Sequence, residues 1–234
     1  MIKVSEIFGP TVQGEGPLIG KPTVFVRTGG CDYRCTWCDT LYAVLPEYSN
    51  NWTAMSAKEI LDQVKELSGG KPILVTLTGG NPAMHKLGPL IELGKGQGFT
   101  FSLETQGSLP RKWFGKLDWL FLSPKPPSSH ETPDWAKFEK CISEARTAKL
   151  ALKVAVFDKA DYEFAKTVEN RFPDVPLYLQ VGNDLVSGGT PFDLNASLTT
   201  RYQWLVDQIS KDLWFTPTLL PQLHVLVWGN DRGH

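Results

Sequence analysis

Three cysteines, Cys31, Cys35 and Cys38, lie within eight residues in the sequence C-D-Y-R-C-T-W-C. Three thiolates at this spacing can bind three corners of an iron–sulfur cube and leave the fourth iron open to another ligand. A cluster that only carries electrons normally has four cysteine ligands, and a structural zinc site also fills four positions. Cys141 lies more than a hundred residues away. The spacing therefore predicts a cluster with an open iron, which can bind a reactant.

Four other segments that are polar or rich in glycine each follow a predicted strand. They are Thr78 to Pro82, Glu104 to Gly107, Ser123 to Pro127 and Gln180 to Asp184. In parallel α/β folds, ligands bind at the carboxyl ends of the strands, so these segments and the cysteine loop are expected at one rim. The sequence predicts a composite site for a cofactor and a substrate.

A repeated alternation of strand and helix must position these loops. The predicted strands are Thr23 to Arg27, Ile73 to Leu77, Phe99 to Leu103, Trp119 to Leu122, Leu150 to Phe157 and Leu177 to Gln180. The predicted helices are Ser56 to Leu67, Leu87 to Gly94, Pro133 to Ala148, Asp158 to Arg171 and Thr199 to Ile209. The first helix begins with an S-x-x-E capping box.

The number of strands indicates the fold class. Six strands alternating with helices imply a mainly parallel sheet. A closed eight-unit barrel usually takes about 250 residues, whereas this chain has 234 residues and also carries long loops. We therefore expect an α/β fold, a partial, open barrel of the (β/α)6 type, in a single domain that spans residues 1–234.

Composition excludes several classes of partner. The chain has 24 Lys and Arg against 25 Asp and Glu, so it lacks the basic surplus typical of nucleic-acid binding. No apolar run approaches the roughly 20 residues needed to span a bilayer, and the N-terminus lacks the apolar stretch of a secretory signal. The crowded cysteines do not form the pattern of a disulfide framework. These features predict a cytoplasmic protein that binds neither nucleic acid nor membrane.

The cysteine spacing, with Trp37 before the last cysteine, resembles the signature of the radical S-adenosylmethionine superfamily. The resemblance implies a 4Fe-4S cluster whose open iron holds the amino and carboxylate groups of S-adenosylmethionine. One electron then cleaves the sulfonium and produces a 5′-deoxyadenosyl radical, while the protein binds, aims and excludes water. The Gly79-Gly80 turn is similar to the superfamily's Gly-Gly-Glu loop, except that Asn81 replaces the glutamate.

Further segments resemble the 7-carboxy-7-deazaguanine synthase family over nearly the whole chain. They are Glu6 to Gly16, Phe25 to Thr28, Cys38 to Thr40, Leu103 to Gly107, Ser123 to Pro127, Leu179 to Asn183, Pro221 to His224 and Trp228 to Asn230. The resemblance implies that 6-carboxy-5,6,7,8-tetrahydropterin loses hydrogen from carbon 6, contracts its ring and releases ammonia. The product, 7-carboxy-7-deazaguanine, is a precursor of queuosine. A regenerated S-adenosylmethionine, Mg2+ at the substrate carboxylate, an electron donor such as a flavodoxin or a ferredoxin, and a homodimer are implied too.

The same resemblance assigns site residues, and it implies no catalytic side chain because the radical comes from the cofactor. The cluster ligands are the three cysteines, and the magnesium ligand is Thr40. The residues expected to bind S-adenosylmethionine are Trp37, Cys38, Asp39, Gly80, Glu104, Ser123, Pro124, Lys125, Gln180, Val181, Gly182 and Asn183. The residues expected to bind substrate are Val12, Gln13, Gly14, Glu15, Arg27 and Thr78. Arg27 suits this assignment because a guanidinium binds a carboxylate through two parallel N–H bonds.

Two alternatives remain open from the residues alone. A glycyl-radical-enzyme activating protein shares the cysteine spacing but acts on a protein and consumes S-adenosylmethionine stoichiometrically. A non-catalytic metal-binding module would hold about one zinc and no iron. Metal analysis distinguishes the metal-binding module from a cluster enzyme. The substrate, a protein or a small molecule, distinguishes the activating protein from a synthase.

Overall fold

A computed structural model describes residues 1–183 and 191–234, whose strands form one nine-stranded sheet. The strands are β1 Ile2–Val12, β2 Pro22–Thr28, β3 Thr53–Met55, β4 Leu74–Gly79, β5 Thr100–Thr105, β6 Trp119–Leu122, β7 Lys149–Val156, β8 Leu177–Val181 and β9 Thr218–Leu220. Their order is β3-β1-β2-β4-β5-β6-β7-β8-β9. Within the described residues, β3 and β9 are the two edges of this sheet, which makes the barrel open as predicted.

The six predicted strands are confirmed as β2 and β4 to β8, and neighbouring members of this set pair in parallel. β9 adds a further parallel strand beside β8. The sequence did not predict β1 and β3, which extend the sheet antiparallel beyond β2. The burial of β1 alternates only over its first residues, so the period-two pattern that identifies a strand is short there.

Seven α-helices accompany the sheet in the described part of the chain. They are α1 Leu41–Val44, α2 Ala57–Leu67, α3 Gly88–Lys95, α4 Trp135–Glu144, α5 Lys159–Arg171, α6 Pro191–Asp212 and α7 Leu223–Trp228. The predicted caps are confirmed, since Ser56 and Glu59 form a capping box and Asp158 accepts a hydrogen bond from the Asp161 backbone N–H. α4 is shorter and α6 longer than predicted. None of the described helices is long and apolar enough to cross a membrane.

Short 3-10 helices occupy several loops, at Gly16–Leu18, Pro46–Asn51, Pro82–Met84, Lys112–Lys116 and Pro127–Ser129. The core lies between the sheet and the helices. Val24, Val26, Val75 and Leu77 are fully buried on the face that packs against this core. Because successive side chains of a strand point to opposite faces, the residues between them line the inside of the barrel.

The inner face of the sheet is polar near the carboxyl ends of the strands. Arg27 of β2 is in register there with Thr78 of β4, and nearer the amino ends of the same strands Thr23 and Thr76 share a hydrogen bond of 2.8 Å. Farther along the sheet, Ala155 of β7 is in register with Gln180 of β8. The alternation therefore delivers polar side chains from several strands to one interior surface.

Candidate active site

One cavity, with about 1390 Å³ of space including its open mouth, lies at the carboxyl ends of the strands. It is lined by all of the predicted site residues except Pro124. Pro124 is buried between Ser123 and Lys125, and within the described residues it is not part of the cavity wall. The structure therefore brings together the positions predicted for cofactor, metal and substrate.

The three cysteines lie on the loop that follows β2, and each is half-buried at the cavity. Burial raises the pKa of the Cys31 thiol, and it raises the pKa of Cys35 to about 11. These thiols keep their protons until a metal displaces them. Cys141, in contrast, is buried and donates to the Gly107 carbonyl oxygen at 3.3 Å.

The geometry of the cysteine loop differs from that of a site for one metal ion. In the described residues, no three Cys, His, Asp or Glu side chains converge as one ion would require. An iron–sulfur cube has a different requirement, because each thiolate binds its own iron. Cys31 Sγ also accepts contacts from the Tyr33 backbone N–H at 3.4 Å and from Gln106 Nε2 at 3.7 Å, and such donors stabilise a ligating thiolate.

Two observations test whether the cavity suits S-adenosylmethionine. Both amide atoms of Gln180 are buried without a hydrogen-bond partner, so this side chain can still bond to a ligand in the cavity. A Cβ on Gly80 would lie 2.3 Å from the Gly30 carbonyl oxygen, which means that only glycine allows this backbone to approach the cysteine loop. The donor set and the close approach fit a polar cofactor bound beside the cluster.

An aromatic surface lines the same side of the cavity. Trp37 packs on Phe157 with ring centroids 4.8 Å apart, and Lys125 Nζ lies 5.6 Å from the Trp37 ring centre. Trp37 Nε1 donates to Ser128 Oγ at 3.0 Å, which fixes the indole. A Cβ on Gly182 would lie 2.3 Å from the Phe157 ring, so glycine is required directly after β8, where the backbone passes this ring.

Asn81, which replaces the glutamate of the superfamily loop, is fully buried. Its amide nitrogen donates to Asp32 at 2.8 Å and to Ser108 at 3.1 Å, while its carbonyl oxygen accepts from Thr105 at 2.7 Å. These bonds join three loops behind the cysteines. Asn81 is therefore committed to supporting the loops, whereas Glu104 lines the cavity.

Arg27 also lines the cavity, and its side chain is fixed by two neighbouring residues. Its Nε donates to Glu6 Oε1 at 2.7 Å, and the Tyr42 hydroxyl donates to the same oxygen at 2.8 Å. Its guanidinium also lies 5.6 Å from the ring centre of Phe8, which stacks on Phe25. No bond to the two terminal nitrogens of Arg27 is present among the described residues, so both can bind an anion.

A buried group of charged and polar side chains closes the inner end of the cavity. Lys153 forms ion pairs with both Glu15 and Glu104, and Gln222 Nε2 donates to Glu15 Oε1 at 2.7 Å. Burial opposes the ionisation of Glu15, but Lys153, His224 and Gln222 outweigh it and lower the pKa of Glu15 to about 2. Glu15 is therefore a fixed carboxylate at neutral pH.

Lys153 itself is also held in its charged form. Burial would lower its pKa, but Glu104 and Glu15 outweigh that effect and raise the pKa above its ordinary value. The unpaired acceptor of this group is Gln222 Oε1, which is buried without a partner. The inner end of the cavity thus offers carboxylate and amide oxygens to a ligand that carries N–H donors.

Thr40 lies at the start of α1, next to the cysteine loop. It occupies the N-cap position, but its side chain makes no capping hydrogen bond. Its Oγ1 lies 3.7 Å from Cys38 Sγ. Because this contact is long and no cap bond is made, the hydroxyl oxygen keeps lone pairs for a further ligand in the cavity.

Several lining residues were missed by the sequence reasoning, notably Gln106, Lys153, Gln222 and His224. The signal for Lys153 was visible, because it is the one charged residue within the apolar strand segment L-A-L-K-V-A-V, and lysine is rarely buried unless paired. Gln222 and His224 belong to a segment that already carried the family resemblance. Their convergence on Glu15 depends on tertiary structure.

The fold and the three-cysteine cavity define the class as radical S-adenosylmethionine enzymes. Residues 25–123 match the family model described as the Radical SAM superfamily. QueE from Escherichia coli has the same fold, with a TM-score of 0.69 at 23% identity over 95% of this chain and 94% of that one.

Two curated relatives identify the family within this class. A 7-carboxy-7-deazaguanine synthase from Bacillus subtilis is 44% identical over 99% of this chain and 98% of its own length. The enzyme of that name from Bacillus cereus is 40% identical over 99% of this chain and 98% of its own length. The chain belongs to the 7-carboxy-7-deazaguanine synthase family.

Proposed function

We propose that this chain converts 6-carboxy-5,6,7,8-tetrahydropterin into 7-carboxy-7-deazaguanine with release of ammonia, as its family does. The observation that carries the proposal is a single cavity that joins the three-cysteine loop to Arg27 and to the carboxylate of Glu15. A cluster alone would indicate only the superfamily. The cation and the buried carboxylate beside it suit a substrate that is anionic at one end and rich in N–H donors at the other.

The cofactor half of the cavity would be held by residues of the strand ends. Cys31, Cys35 and Cys38 would hold the 4Fe-4S cluster, and Gln180 would bond to S-adenosylmethionine through its unpartnered amide. When bound, these groups supply a one-electron cleavage whose radical product removes hydrogen from carbon 6 of the pterin. The protein aims that radical and keeps water away from it. The aromatic surface of Trp37 and Phe157 supports the exclusion of water, because it lines the cavity beside the cysteines.

The substrate half would be held at both ends. Arg27 has two free terminal nitrogens for the pterin carboxylate, and such bidentate pairs fix orientation as well as charge. Glu15 would accept two adjacent N–H donors from the aminopyrimidinone ring, because each of its oxygens has a lone pair beyond its bond to Lys153 or Gln222. Phe8 and Phe25 line the cavity between these ends and offer a flat surface to a planar ring.

We further propose that Mg2+ binds at Thr40 and the substrate carboxylate. A hydroxyl is a weak ligand by itself, so metal and substrate should bind together, with water completing the octahedral shell. The Thr40 hydroxyl supports this proposal, because it makes no capping hydrogen bond and only a long contact with Cys38 Sγ. It predicts that Mg2+ alone binds weakly and that the pterin increases its affinity.

Other parts of the proposal follow from the family. We propose a single domain over residues 1–234, a homodimer, and reduction by a flavodoxin or a ferredoxin. The four free cysteines support a reducing compartment such as the cytoplasm. Sedimentation of the cluster-loaded protein tests the dimer, and a monomer at micromolar concentration would reject it.

The test of the function is anaerobic reconstitution with iron and sulfide, followed by reduction in the presence of S-adenosylmethionine and the pterin. Product, measured by mass spectrometry, is expected only when cluster, S-adenosylmethionine and reductant are all present, with strong stimulation by Mg2+. No product from a protein that holds about four irons would reject the function. Protein that takes up one zinc and no iron would support the non-catalytic alternative.

A further inference from the structure

We propose that Lys153 is a positioning residue for the pterin, which holds Glu15 in place and joins it to Glu104. The inference rests on the proposed function and extends it to a residue outside the segments that resemble the family. Lys153 is buried, with only 7% of the residue exposed, yet its amino group reaches the cavity. A buried lysine is costly unless it is paired, and both of its partners here are carboxylates of the site.

The two partners come from separate parts of the fold. Glu15 lies in the loop after β1, whereas Glu104 lies near the carboxyl end of β5. Lys153 lies on β7, on the far side of β6 from Glu104. A single ammonium therefore ties together a loop and two strands that are not neighbours, and it does so at the cavity surface.

Charge explains why this connection matters for binding. Glu15 and Glu104 place two negative charges in a cavity that must also accept an anionic substrate. With Lys153 the three side chains sum to one negative charge, and without it they sum to two. Without Lys153, the additional uncompensated negative charge would repel the pterin carboxylate and weaken its binding. This repulsion is large because charges in a partly buried site are poorly screened.

Geometry adds a second effect. Lys153 bonds to Glu15 Oε2 and Gln222 bonds to Glu15 Oε1, so each carboxylate oxygen has one protein donor. The remaining lone pairs then have fixed directions toward the cavity. Loss of Lys153 frees one oxygen to rotate, and the two oxygens no longer match two adjacent N–H donors.

The test measures equilibrium binding of 6-carboxy-5,6,7,8-tetrahydropterin to cluster-loaded protein with S-adenosylmethionine and without reductant, so that no turnover occurs. We expect Lys153→Met to weaken binding by about 30-fold or more, while iron content stays at the wild-type level. Lys149→Met is the matched control, because Lys149 is an exposed residue of the same strand that lies over Trp119. It should leave pterin affinity unchanged.

A double-mutant cycle separates positioning from a general structural effect. Because Lys153 acts partly through Glu15, we expect Lys153→Met to lower the affinity by a smaller factor in the Glu15→Gln background than in the wild type, and the loss that remains reflects the unpaired charge of Glu104. Additive losses, or wild-type affinity in Lys153→Met, would overturn the proposal. If the methionine variant does not fold, Lys153→Gln, which also removes the charge but keeps a polar side chain, can be used in the same cycle. Wild-type protein that fails to bind the pterin would instead reject the proposed function, so the two failures are distinct.

Discussion

Replacement of Arg27 by lysine tests how the substrate carboxylate is recognised. Lysine keeps the positive charge but has one nitrogen, whereas Arg27 uses Nε for Glu6 and leaves two terminal nitrogens for a ligand. The lysine ammonium must therefore serve Glu6 and the pterin from one atom. We expect Arg27→Lys to weaken pterin binding although the net charge of the cavity is unchanged.

The magnitude follows from the bonds that are lost. A hydrogen bond to a charged group contributes about 1.5–3 kcal/mol, and the Arg27 side chain is only 17% exposed, so screening by solvent is limited. Loss of one such bond predicts an affinity about 10 to 150 times lower, since about 1.36 kcal/mol corresponds to a factor of ten. Loss of both bonds would exceed this range.

The assay is equilibrium binding to the cluster-loaded, unreduced protein, with Arg232→Lys as the control. Arg232 also contacts Glu6, at 3.3 Å, but its side chain is 58% exposed. An exposed ion pair contributes about 0–1 kcal/mol, so this change should lower affinity less than about fivefold. The control therefore alters the same residue type with the same partner, outside the cavity wall.

A second ligand shows whether the loss concerns the carboxylate. Tetrahydropterin without the 6-carboxylate should bind equally well to the wild type and to Arg27→Lys, because the bonds in question are missing in both cases. Unchanged affinity of Arg27→Lys for the carboxylated pterin would refute the reasoning. An equal loss for both ligands would refute it too, since Arg27 would then act on the ring or on the fold.

Three further predictions concern the metals and the buried carboxylate. Cys35→Ala should lose cluster iron and all product formation. Cys141→Ala should keep both, because Cys141 is buried away from the cavity. Equal iron contents in the two variants would contradict the ligand assignment. Thr40→Ala should lose the stimulation by Mg2+ that Thr40→Ser retains, measured as product formed against Mg2+ concentration, and full stimulation in Thr40→Ala would reject the magnesium site. The folded pKa of Glu15, about 2, is below its ordinary value of 4.5, so its charge stabilises the fold above pH 4.5 and that contribution is lost as pH falls toward 2. Urea unfolding should therefore show a stability difference between wild type and Glu15→Gln that is constant from pH 7 to about 5 and narrows below pH 4.5, and a difference that widens there would contradict the assignment.

The strands that were predicted correctly have local signals. β6 was exact because W-L-F-L is a short apolar run between polar segments, and β2 and β4 carry β-branched residues at alternate positions. β1 was missed because Phe8, Gly9 and Pro10 interrupt its alternation. Register shifts in its pairing with β2 show the same irregularity. The strand is held by its neighbours more than by its own pattern.

The sequence indicated which residues would line the cavity where a loop had its own motif, and it missed them where two distant segments meet. The cysteines and the Gly79-Gly80 turn are local motifs, and the structure places both at the cavity. The pairing of Lys153 with Glu15 joins residues 138 positions apart, and no local period encodes it. Asn81 lies between these two cases. Its departure from the superfamily pattern is visible in the sequence, but its hydrogen bonds to Asp32, Ser108 and Thr105 are visible only in the structure.

We propose that one cavity presents carbon 6 of a carboxypterin to the radical formed beside the three cysteines. Turnover of the pterin deuterated at carbon 6, with S-adenosylmethionine in limiting amount, tests it most directly. We predict more 7-carboxy-7-deazaguanine than S-adenosylmethionine supplied, and deuterium in the recovered S-adenosylmethionine. Absence of this product, or product accompanied by S-adenosylmethionine that carries no deuterium, would contradict it.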